Sequence, residues 1–381
     1  MPDVDVKQML YALKLAQRGV GDVEPNPPVG CVIVKGNQVA GKGFHKKFGG
    51  PHAEITALED CKSLGVDPKG ATMYVTLEPC CHQGKTPPCT DAIIQARIGK
   101  VIVAAIDPSG HNNGQGIQKL RDAGIEVVTG ICETQAKVLA GPFMKYARTS
   151  GIWITLKWAQ SIDGKLAWAD QTTDRKWISN EQSRKDVQML RHRAQAILVG
   201  INTVLSDDPL LTPRPPKGKK PMRIVLDSHL RTPLDCQLIK TVDKFPLMIF
   251  AWDGAVNANP EAADKLRDKG AEILVYGDTG GRSNLHILVE QLGQRGIQQL
   301  LVEGGPSVLA SFMREDLADE IIVYVTPKIL GACGTDNIAQ PLAELTRAMH
   351  LLHVEVKTFD SDIRLCGLTE SAIKAIGLGQ D

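Results

Sequence analysis

The regular alternation of β-rich and helical patterns constrains the fold of this chain more than any other feature. An amphipathic pattern over 3–19 precedes two β-rich runs joined at Gly36-Asn37, and strand and helix patterns then alternate along most of the chain. Alternation of this kind is typical of layered α/β domains. The last β-rich runs, 319–331 and 351–368, predict antiparallel closing strands because no long helical pattern separates them.

The length of 381 residues favours two domains, since one domain commonly has about 150 residues. We place the boundary where a helical pattern ends and Thr149-Ser150-Gly151 leads into a new strand. The predicted domains are therefore 1–148 and 149–381. Apolar residues make up 43% of the chain and charged residues 23%, which is the composition of a folded protein and not of a disordered one.

Charge and hydropathy argue against two classes of partner. Lys and Arg number 44 against 43 Asp and Glu, so the chain has no basic excess with which to neutralise a nucleic acid. The first residues are acidic and then amphipathic, unlike a secretory signal, and no run approaches the roughly 18 apolar residues of a membrane span. We therefore expect a cytoplasmic protein that binds neither nucleic acid nor membrane.

Three of the nine cysteines lie close together, at Cys80, Cys81 and Cys89. So few cysteines do not form a disulfide scaffold in a chain of this length, and the cluster indicates a metal or catalysis. His52 and Glu54 precede it at the predicted start of a helix. A catalytic zinc takes three protein ligands and a water whose pKa it lowers. His52, Cys80 and Cys89 supply such a set, and Glu54 is left as the catalytic proton carrier.

His-x-Glu followed by Pro-Cys and a later Cys is the zinc-deaminase arrangement. In these enzymes hydroxide on the metal attacks a ring carbon, and the glutamate moves protons to the leaving ammonia. The usual pattern has two residues between the cysteines, whereas eight separate Cys80 from Cys89. Cys81 and His82 are therefore alternative ligands, and a purely structural zinc site is an alternative function.

PNPPVGCVIV, GGPHAE and LEPCCHQGKTPPC together resemble the deaminase half of the bifunctional riboflavin biosynthesis deaminase-reductase family, which has the same lengthened cysteine loop. The resemblance implies an α/β domain with a cytidine-deaminase-like three-layer fold. It also implies a phosphoribosylamino-pyrimidinone substrate whose 2-amino group is hydrolysed. By the same resemblance, Asn26 and His45 help to bind the ring or ribose, and Lys85 binds the phosphate.

Polar segments in the second half follow predicted strands, at 157–165, 202–214, 225–228 and 302–312. Ligands of parallel α/β sheets bind at the carboxyl ends of strands, so these segments predict one long ligand-binding site. Gly304 and Gly305, followed by Ser307, suit a phosphate because glycine allows close backbone approach. A glycine pair after a strand can also be only a tight turn, and no G-x-G-x-x-G follows a first strand.

Together with TPKILG at 326–331, these segments resemble the reductase half of the same family. The resemblance implies a C-terminal dihydrofolate-reductase-like α/β domain in which NADPH supplies the hydride that opens the ribosyl group to a ribityl chain. The implied NADPH site comprises Ala159, Trp177, Ser179, Thr203, Asp207, Ser228 and Gly305. The implied substrate site comprises Arg175, Arg191, Leu211, Arg214 and Glu303. A homo-oligomer is a further expectation from the family.

The chemistry of these residues agrees with this division. Arg191 and Arg214 offer forked donors for a ribose phosphate, and Asp207 and Glu303 can accept from hydroxyl groups. Simpler roles remain open, because Arg191 can be a solvated helix end, Asp207 a turn residue and Trp177 part of the core.

The whole chain is therefore predicted to be a zinc-dependent deaminase and an NADPH-dependent reductase that act in succession on a small phosphorylated pyrimidine. One alternative is a nucleic-acid base deaminase with an accessory domain, which the net charge of +1 and the aromatic content of 4% disfavour. The other alternative is a zinc-stabilised nucleotide-sensing module, which would bind metal and release no ammonia.

Overall fold

The computed structural model describes residues 4–83, 87–170, 177–215, 218–277, 284–343 and 345–379. The chain divides into two compact units, Met1–Ser150 with Ala375–Asp381, and Gly151–Lys374. The sequence instead predicted a second domain that runs to the end of the chain. The last segment groups with the first unit because contacts hold it there, among them a hydrogen bond of 2.9 Å from Nζ of Lys137 to the carbonyl oxygen of Gly377.

The first unit is built around a mixed sheet. Its strands are β1 (Gly30–Lys35), β2 (Gln38–Phe44), β3 (Thr72–Leu77), β4 (Lys100–Ala105) and β5 (Glu126–Thr129). Its helices are α1 (Val4–Ala16), α2 (Ala53–Ser63), α3 (Cys89–Gln95), α4 (Gln115–Asp122), α5 (Glu133–Leu139) and α6 (Gly141–Thr149), with a short 3-10 helix at Gln17–Gly19. Over the described residues the strand order is β2-β1-β3-β4-β5, antiparallel across the first two pairs and parallel across the last two.

Helices cover both faces of this sheet. A Cβ on Gly30 would lie 2.0 Å from the carbonyl oxygen of Ala12, so glycine is needed for α1 to pack this closely against β1. The next residue, Cys31, points to the opposite face and pairs with Gly43 of β2. A Cβ on Gly43 would lie 2.5 Å from the carbonyl oxygen of Ala53, the first residue of α2. The first unit is therefore a three-layer domain, with the start of α2 held closely against the sheet.

The strands after residue 151 are β6 (Trp153–Ser161), β7 (Lys165–Trp168), β8 (Ala196–Gly200), β9 (Met222–Leu226), β10 (Leu247–Trp252), β11 (Glu272–Tyr276), β12 (Gln299–Val302), β13 (Glu320–Thr326), β14 (Gly334–Asn337), β15 (Leu352–Phe359) and β16 (Asp362–Leu368). The helices are α7 (Glu181–Arg193), α8 (Ile201–Asp207), α9 (Gln237–Lys240), α10 (Asp253–Ala258), α11 (Pro260–Asp268), α12 (Leu285–Gln294), α13 (Pro306–Arg314), α14 (Ala339–Leu342) and α15 (Glu370–Ala375), with a 3-10 helix at Gly331–Cys333. Among the described helices, none has the length and apolar character needed to cross a membrane.

The main sheet of the second unit is parallel over most of its width. Within the described ranges its order is β11-β10-β9-β8-β12-β6-β13-β16-β15, and β7 pairs separately with β14. All neighbours from β11 to β13 are parallel. The pairs of β13 with β16 and of β16 with β15 are antiparallel. The expected closing strands are thus present, although β13 is parallel to β6 on its other side.

Side chains of the parallel strands are buried on both faces of this sheet, as expected where helices cover both sides. On one face Leu156 of β6 packs with side chains of α12 and α13. On the other face Ile197 of β8 packs with side chains of α7 and α11, together with Ala159 and Leu301. Because side chains alternate along a strand, the odd-numbered residues at the carboxyl ends of β6 and β12 face α7.

Candidate active sites

Three potential metal ligands converge in the first unit. His52 is the N-cap of α2, Cys80 follows β3, and Cys89 is the first residue of α3. Their ligand atoms all lie within 4.8 Å of one another. Nδ1 of His52 is 3.6 Å from Sγ of Cys80 and 3.3 Å from Sγ of Cys89. Two sulfurs and one imidazole nitrogen form a ligand set that zinc accepts in catalytic sites, so these residues fit the expected metal.

The electrostatics of this cluster suit a cation and a proton carrier. A hydrogen bond from the Cys89 thiol is the main reason that the pKa of Cys80 falls to about 4; burial opposes the shift and His52 supports it. Glu54, in the first turn of α2, is only 3% exposed. Burial, together with the nearby Cys80, raises the pKa of Glu54 to about 7. A carboxyl group that titrates near neutral pH can both accept and donate a proton.

A cavity of about 340 Å³ adjoins the cluster. Its lining includes Asn26, His45, His52, Glu54 and Cys80. Nδ2 of Asn26 lies 3.1 Å from Nε2 of His45, and Nδ1 of His45 lies 2.9 Å from the carbonyl oxygen of Pro51. Burial lowers the pKa of His45, so its ring is neutral at pH 7. Lys85, the third residue expected to bind this substrate, lies outside the described residues.

The two alternative ligands have other surroundings. Sγ of Cys81 lies 3.3 Å from Oδ1 of Asn112, and the exposed ring of His82 lies 5.5 Å from the ring of His111, measured between centroids. In the part of the chain that the structure describes, one group of His, Cys, Asp or Glu side chains has the spacing to hold a metal ion, and it consists of His52, Cys80 and Cys89. The geometry therefore favours this set over one that includes Cys81 or His82.

A charged cluster lies at the carboxyl end of β12, beside the middle of β6, on the face covered by α7. Nε of Arg191, on α7, is 3.1 and 3.2 Å from the two carboxylate oxygens of Glu303, and Nη2 donates to the same carboxylate. The two side chains are 14% and 7% exposed. Burial lowers the pKa of the neighbouring Lys157, and the charge of Glu303 opposes this. Burial also acts to raise the pKa of Glu303, but Arg191 and Lys157 outweigh it and lower that pKa.

This ion pair joins two residues that the sequence expected to contact the substrate separately. Arg191 is not a solvated helix end, because its guanidinium is buried against Glu303 and its Nη1 also lies 3.5 Å from the carbonyl oxygen of Thr212. Leu211, beside Thr212, is buried and packs in the core on the α7 face. An arginine held in this way has fewer N–H groups left for a phosphate.

Five of the residues expected to bind NADPH are half-buried and lie near strand ends or helix starts: Ala159, Ser179, Thr203, Ser228 and Gly305. Oγ of Ser228, just after β9, accepts a hydrogen bond of 2.7 Å from the hydroxyl group of Tyr276. Gly305 is the N-cap of α13, and no side chain caps that helix start. A phosphate can therefore approach this helix start, where Pro306 has no N–H group and the N–H of Val308 donates to the carbonyl oxygen of Gly305 at 3.0 Å.

The other predicted residues of this half are more exposed. Trp177 is 51% exposed and lies under the guanidinium of Arg184, with Cζ 5.8 Å from the ring centroid, so it is not a core residue. Asp207, the last residue of α8, is exposed. Arg214 is exposed too, and its backbone N–H donates to Oε1 of Gln188 at 3.0 Å. Arg175 lies outside the described residues.

The structure also reveals polar residues that the sequence analysis did not select. Glu78, Asp107 and Asn112 line the cavity of the first unit. Lys157 adjoins the ion pair of the second unit. A signal for Lys157 was present, because it occupies an alternate position in a strand that a doubly covered parallel sheet buries on both faces.

Comparison with known proteins identifies the family. The family model of the RibD C-terminal domain matches 152–365, and that of the cytidine and deoxycytidylate deaminase zinc-binding region matches 2–105. The riboflavin biosynthesis protein RibD of Aquifex aeolicus is 44% identical over 330 residues, which is 86% of this chain and 88% of that protein. This chain belongs to the RibD family.

Solved structures of RibD family members are similar over nearly the whole chain. Acinetobacter baumannii RibD has 36% sequence identity and a TM-score of 0.76, with 96% of this chain and 98% of that chain covered. A Thermotoga maritima protein has 34% identity and a TM-score of 0.77, with the same coverage of 96% and 98%. That protein is named a diaminohydroxyphosphoribosylaminopyrimidine deaminase/5-amino-6-(5-phosphoribosylamino)uracil reductase.

Membership of the RibD family confirms several expectations from the sequence. The chain is a bifunctional riboflavin biosynthesis enzyme, a deaminase and a reductase, with zinc and NADPH as its cofactors. The fold class is confirmed as well, with a cytidine-deaminase-like N-terminal domain and a RibD reductase domain, both α/β. The enzyme acts on a small molecule, and the two alternative functions are not favoured.

Proposed function

We propose that this chain deaminates 2,5-diamino-6-(5-phosphoribosylamino)pyrimidin-4-one and then reduces the ribosyl group of the product to a ribityl chain. The deaminase activity is assigned to 1–148 and the reductase activity to 149–381. The name of the Thermotoga maritima protein supports the substrate. The matches of the two family models, at 2–105 and 152–365, support the division. One observation carries the deaminase half: a buried carboxyl group adjoins a His-Cys-Cys cluster in a cavity.

The metal ligands are assigned as His52, Cys80 and Cys89, with Glu54 as the catalytic residue. These three side chains would hold a zinc ion, which would act as a Lewis acid and lower the pKa of a water molecule. The Glu54 carboxylate accepts a proton from the attacking water and then donates a proton to the leaving ammonia. A pKa of about 7 supports both halves of this transfer.

Asn26, His45 and Lys85 are assigned to binding of the deaminase substrate. The neutral ring of His45 places its proton on Nδ1, because that atom faces the carbonyl oxygen of Pro51. Nε2 of His45 is then an acceptor for the amide of Asn26. This leaves Oδ1 of Asn26 to accept a hydrogen bond from an amino group of the pyrimidine. Lys85 is assigned to the phosphate on the family resemblance alone.

The NADPH site is assigned to the carboxyl ends of the parallel strands. Among the described residues nothing lies within 4 Å of a Cβ built on Gly305, and α13 begins there without a side-chain cap. Both features fit a phosphate group. NADPH, when bound, supplies the hydride, and the protein orients the two reactants. The assigned residues are Ala159, Trp177, Ser179, Thr203, Asp207, Ser228 and Gly305.

The reductase substrate is assigned to the charged cluster and its surroundings, with Arg191, Arg214 and Glu303. Arg175 and Leu211 are assigned to this substrate on the family resemblance alone. The ion pair supports different roles for Arg191, Arg214 and Glu303 in substrate binding. Arg191 holds the Glu303 carboxylate in place, and this carboxylate accepts from the ribose hydroxyls. Arg214 is exposed and better suited than Arg191 to bind the phosphate. Lys157, half-buried beside the pair, is a further polar group for the ribose.

The test is to incubate the purified protein with the diaminopyrimidine substrate and NADPH, measuring ammonia and NADPH oxidation separately. We expect ammonia release without NADPH, and NADPH oxidation only once deamination has occurred. Glu54→Gln should abolish ammonia release and retain oxidation of NADPH with pre-deaminated substrate. Glu59→Gln, an exposed carboxyl on the same helix, is the matched control and should retain both activities. Ammonia release by Glu54→Gln at the normal rate would refute the assignment.

We also propose that the enzyme is a cytoplasmic homo-oligomer. The structure describes all nine cysteines and none of them forms a disulfide bond, which supports a reducing compartment. Strand β15 is the edge of the main sheet, and Val356 on it is 62% exposed. Ile363 of β16, on the same face, is 44% exposed. An open edge with an apolar face suits pairing with a second copy. Val356→Lys should lower the mass measured by light scattering, and a monomeric unaltered protein would exclude the oligomer.

A further inference from the structure

A second buried carboxyl group in the cavity of the first unit has no role in the chemistry described above. Glu78 follows β3 directly, two residues before the metal ligand Cys80, and is 4% exposed. It lines the same cavity as Glu54. The contacts of Glu78 with the protein backbone indicate a different role from that of Glu54.

The carboxylate of Glu78 is fully engaged by backbone N–H groups. Oε2 accepts from Asp107 at 3.2 Å and from Gly114 at 3.0 Å. Oε1 accepts from Gly116 at 2.8 Å and from Ile117 at 3.3 Å. An ionised carboxylate has about four acceptor positions, and here four donors from the protein backbone use them. The acceptor positions of Glu78 are therefore occupied by the protein backbone and are not available to a substrate.

These four amides belong to one structural element, the loop 107–114 and the first turn of α4 that follows it. Asp107 begins the loop, and Gly114 ends it as the N-cap of α4. No side chain of a cap residue accepts from the first N–H groups of this helix. The carboxylate of Glu78 accepts from those of Gly116 and Ile117 instead. The fit is close, because a Cβ on Gly116 would lie 2.2 Å from the carbonyl oxygen of Pro79.

The loop held in this way forms one wall of the cavity. Asp107, Ser109, His111 and Asn112 all line it. Asn112 adds a second connection, because its Oδ1 accepts from the backbone N–H of Cys81 at 3.1 Å and its Nδ2 donates to Asp107 at 3.1 Å. The wall is thus attached to the segment that carries the metal ligand Cys80 at two points, Glu78 and Asn112.

We propose that Glu78 is a positioning residue of the deaminase, which holds the 107–114 wall of the cavity at a set distance from the zinc ligand Cys80. The inference rests on the proposed deaminase function. Removing the acceptor should let the wall move, so its substrate-facing side chains would no longer be positioned to contact the pyrimidine at the same time. Glu54 would continue to move the proton.

The test variant is Glu78→Gln. Glutamine has the same shape and keeps one acceptor oxygen, but its NH2 group faces two of the backbone N–H donors. We expect the KM for the diaminopyrimidine to rise about tenfold or more, with a smaller change in kcat. The reason is that the displaced 107–114 wall would lose contacts with the substrate that are made in both the ground state and the transition state. The pH profile of kcat should stay as in the unaltered enzyme. Glu126→Gln, an exposed carboxyl in the same unit, is the matched control.

Hydrogen exchange measured by mass spectrometry gives a readout that does not depend on activity. The amides of Asp107, Gly114, Gly116 and Ile117 should exchange faster in Glu78→Gln, while the zinc content and the reductase activity of the same chain stay unchanged. Asn112→Asp, which keeps the acceptor for Cys81 and loses the donor to Asp107, should have a smaller effect in the same direction.

The possible outcomes separate the inference from the function on which it rests. An unaltered protein without deaminase activity would remove the proposed function, and the exchange experiment would still report on the wall. An active enzyme whose KM and exchange are the same in Glu78→Gln would overturn the positioning role. A loss of kcat with an altered pH profile at unchanged KM would also overturn it, since Glu78 would then carry a proton.

Discussion

Neutralising one member of the Arg191–Glu303 pair should destabilise the second unit by an amount that depends on which member is lost. The pair is buried, and Lys157 is a second cation beside Glu303. Glu303→Leu leaves two cations without their counter-charge. Arg191→Met leaves one carboxylate that still has Lys157. Because an unpaired buried charge is costly, the glutamate variant should be the less stable of the two.

The magnitude follows from the burial of the pair. Breaking a buried ion pair by removing one partner costs about 3–5 kcal/mol. We expect Glu303→Leu to fall in this range and Arg191→Met to cost roughly 1–3 kcal/mol, because the hydrogen bonds are lost while charge compensation is partly kept. For a domain of about 150–250 residues, each kcal/mol lowers Tm by roughly 2–4 °C. Glu303→Leu should therefore lower the Tm of the second unit by about 6–20 °C.

Differential scanning calorimetry of the two variants and the unaltered protein is the appropriate assay, with the transition of the first unit as an internal reference. Lys185→Met on α7, an exposed residue paired with Glu181, is the matched control and should shift Tm by no more than about 2 °C. Equal shifts of Tm in Glu303→Leu and Arg191→Met would refute the proposal that Lys157 partly compensates the charge of Glu303. Shifts no larger than that of the control would refute the buried pair itself.

The same cluster predicts sensitivity to acid. Burial acts to raise the pKa of Glu303, but Arg191 and Lys157 outweigh it, so the pKa in the folded protein lies below the usual value. A carboxyl group with a lowered pKa stabilises the folded state above its unfolded pKa of about 4.3, and this contribution is lost as the pH falls towards the folded pKa. The second unit should therefore lose stability below about pH 4.3. Glu303→Leu should show a shallower loss there, and an identical slope would contradict the linkage.

Three further predictions concern the metal, the phosphate and the packing of the first unit. Cys80→Ser should lose bound zinc in elemental analysis and Cys81→Ser should keep it; the reverse would overturn the ligand assignment. Arg214→Ala should raise the reductase KM about tenfold with deamination unchanged, whereas an unchanged KM would remove Arg214 from the phosphate site. Gly30→Ala should destabilise the first unit by about 1–3 kcal/mol in urea unfolding, because its Cβ would clash with α1. Gly110→Ala, with open space around it, is the control, and an equal effect would refute the packing argument.

The sequence predicted the fold well where the relevant patterns are local. The Gly36 turn between β1 and β2 is an example, since its φ of +61° suits glycine and the flanking strands pair across it. The start of α7 is a second local feature: the helix begins at Glu181, and the side chain of Asn180 before it accepts from the backbone N–H of Ser183. The grouping of 375–381 with the first unit depends on contacts such as that with Lys137, which no local pattern records.

The difference between local patterns and long-range contacts also explains why the two sites were not equally predictable from the sequence. The metal cluster is assembled from two helix starts and a strand end, between His52 and Cys89, so the ligand types and their order already predict a site. Arg191 and Glu303 are 112 residues apart. They meet because β12 inserts between β6 and β8, which places the residue after β12 at the centre of the sheet. Local periodicity predicts that β12 is a strand, but not where it is inserted. The ion pair could therefore be predicted only as two separate polar residues, and its coupling to Lys157 emerges from the strand order.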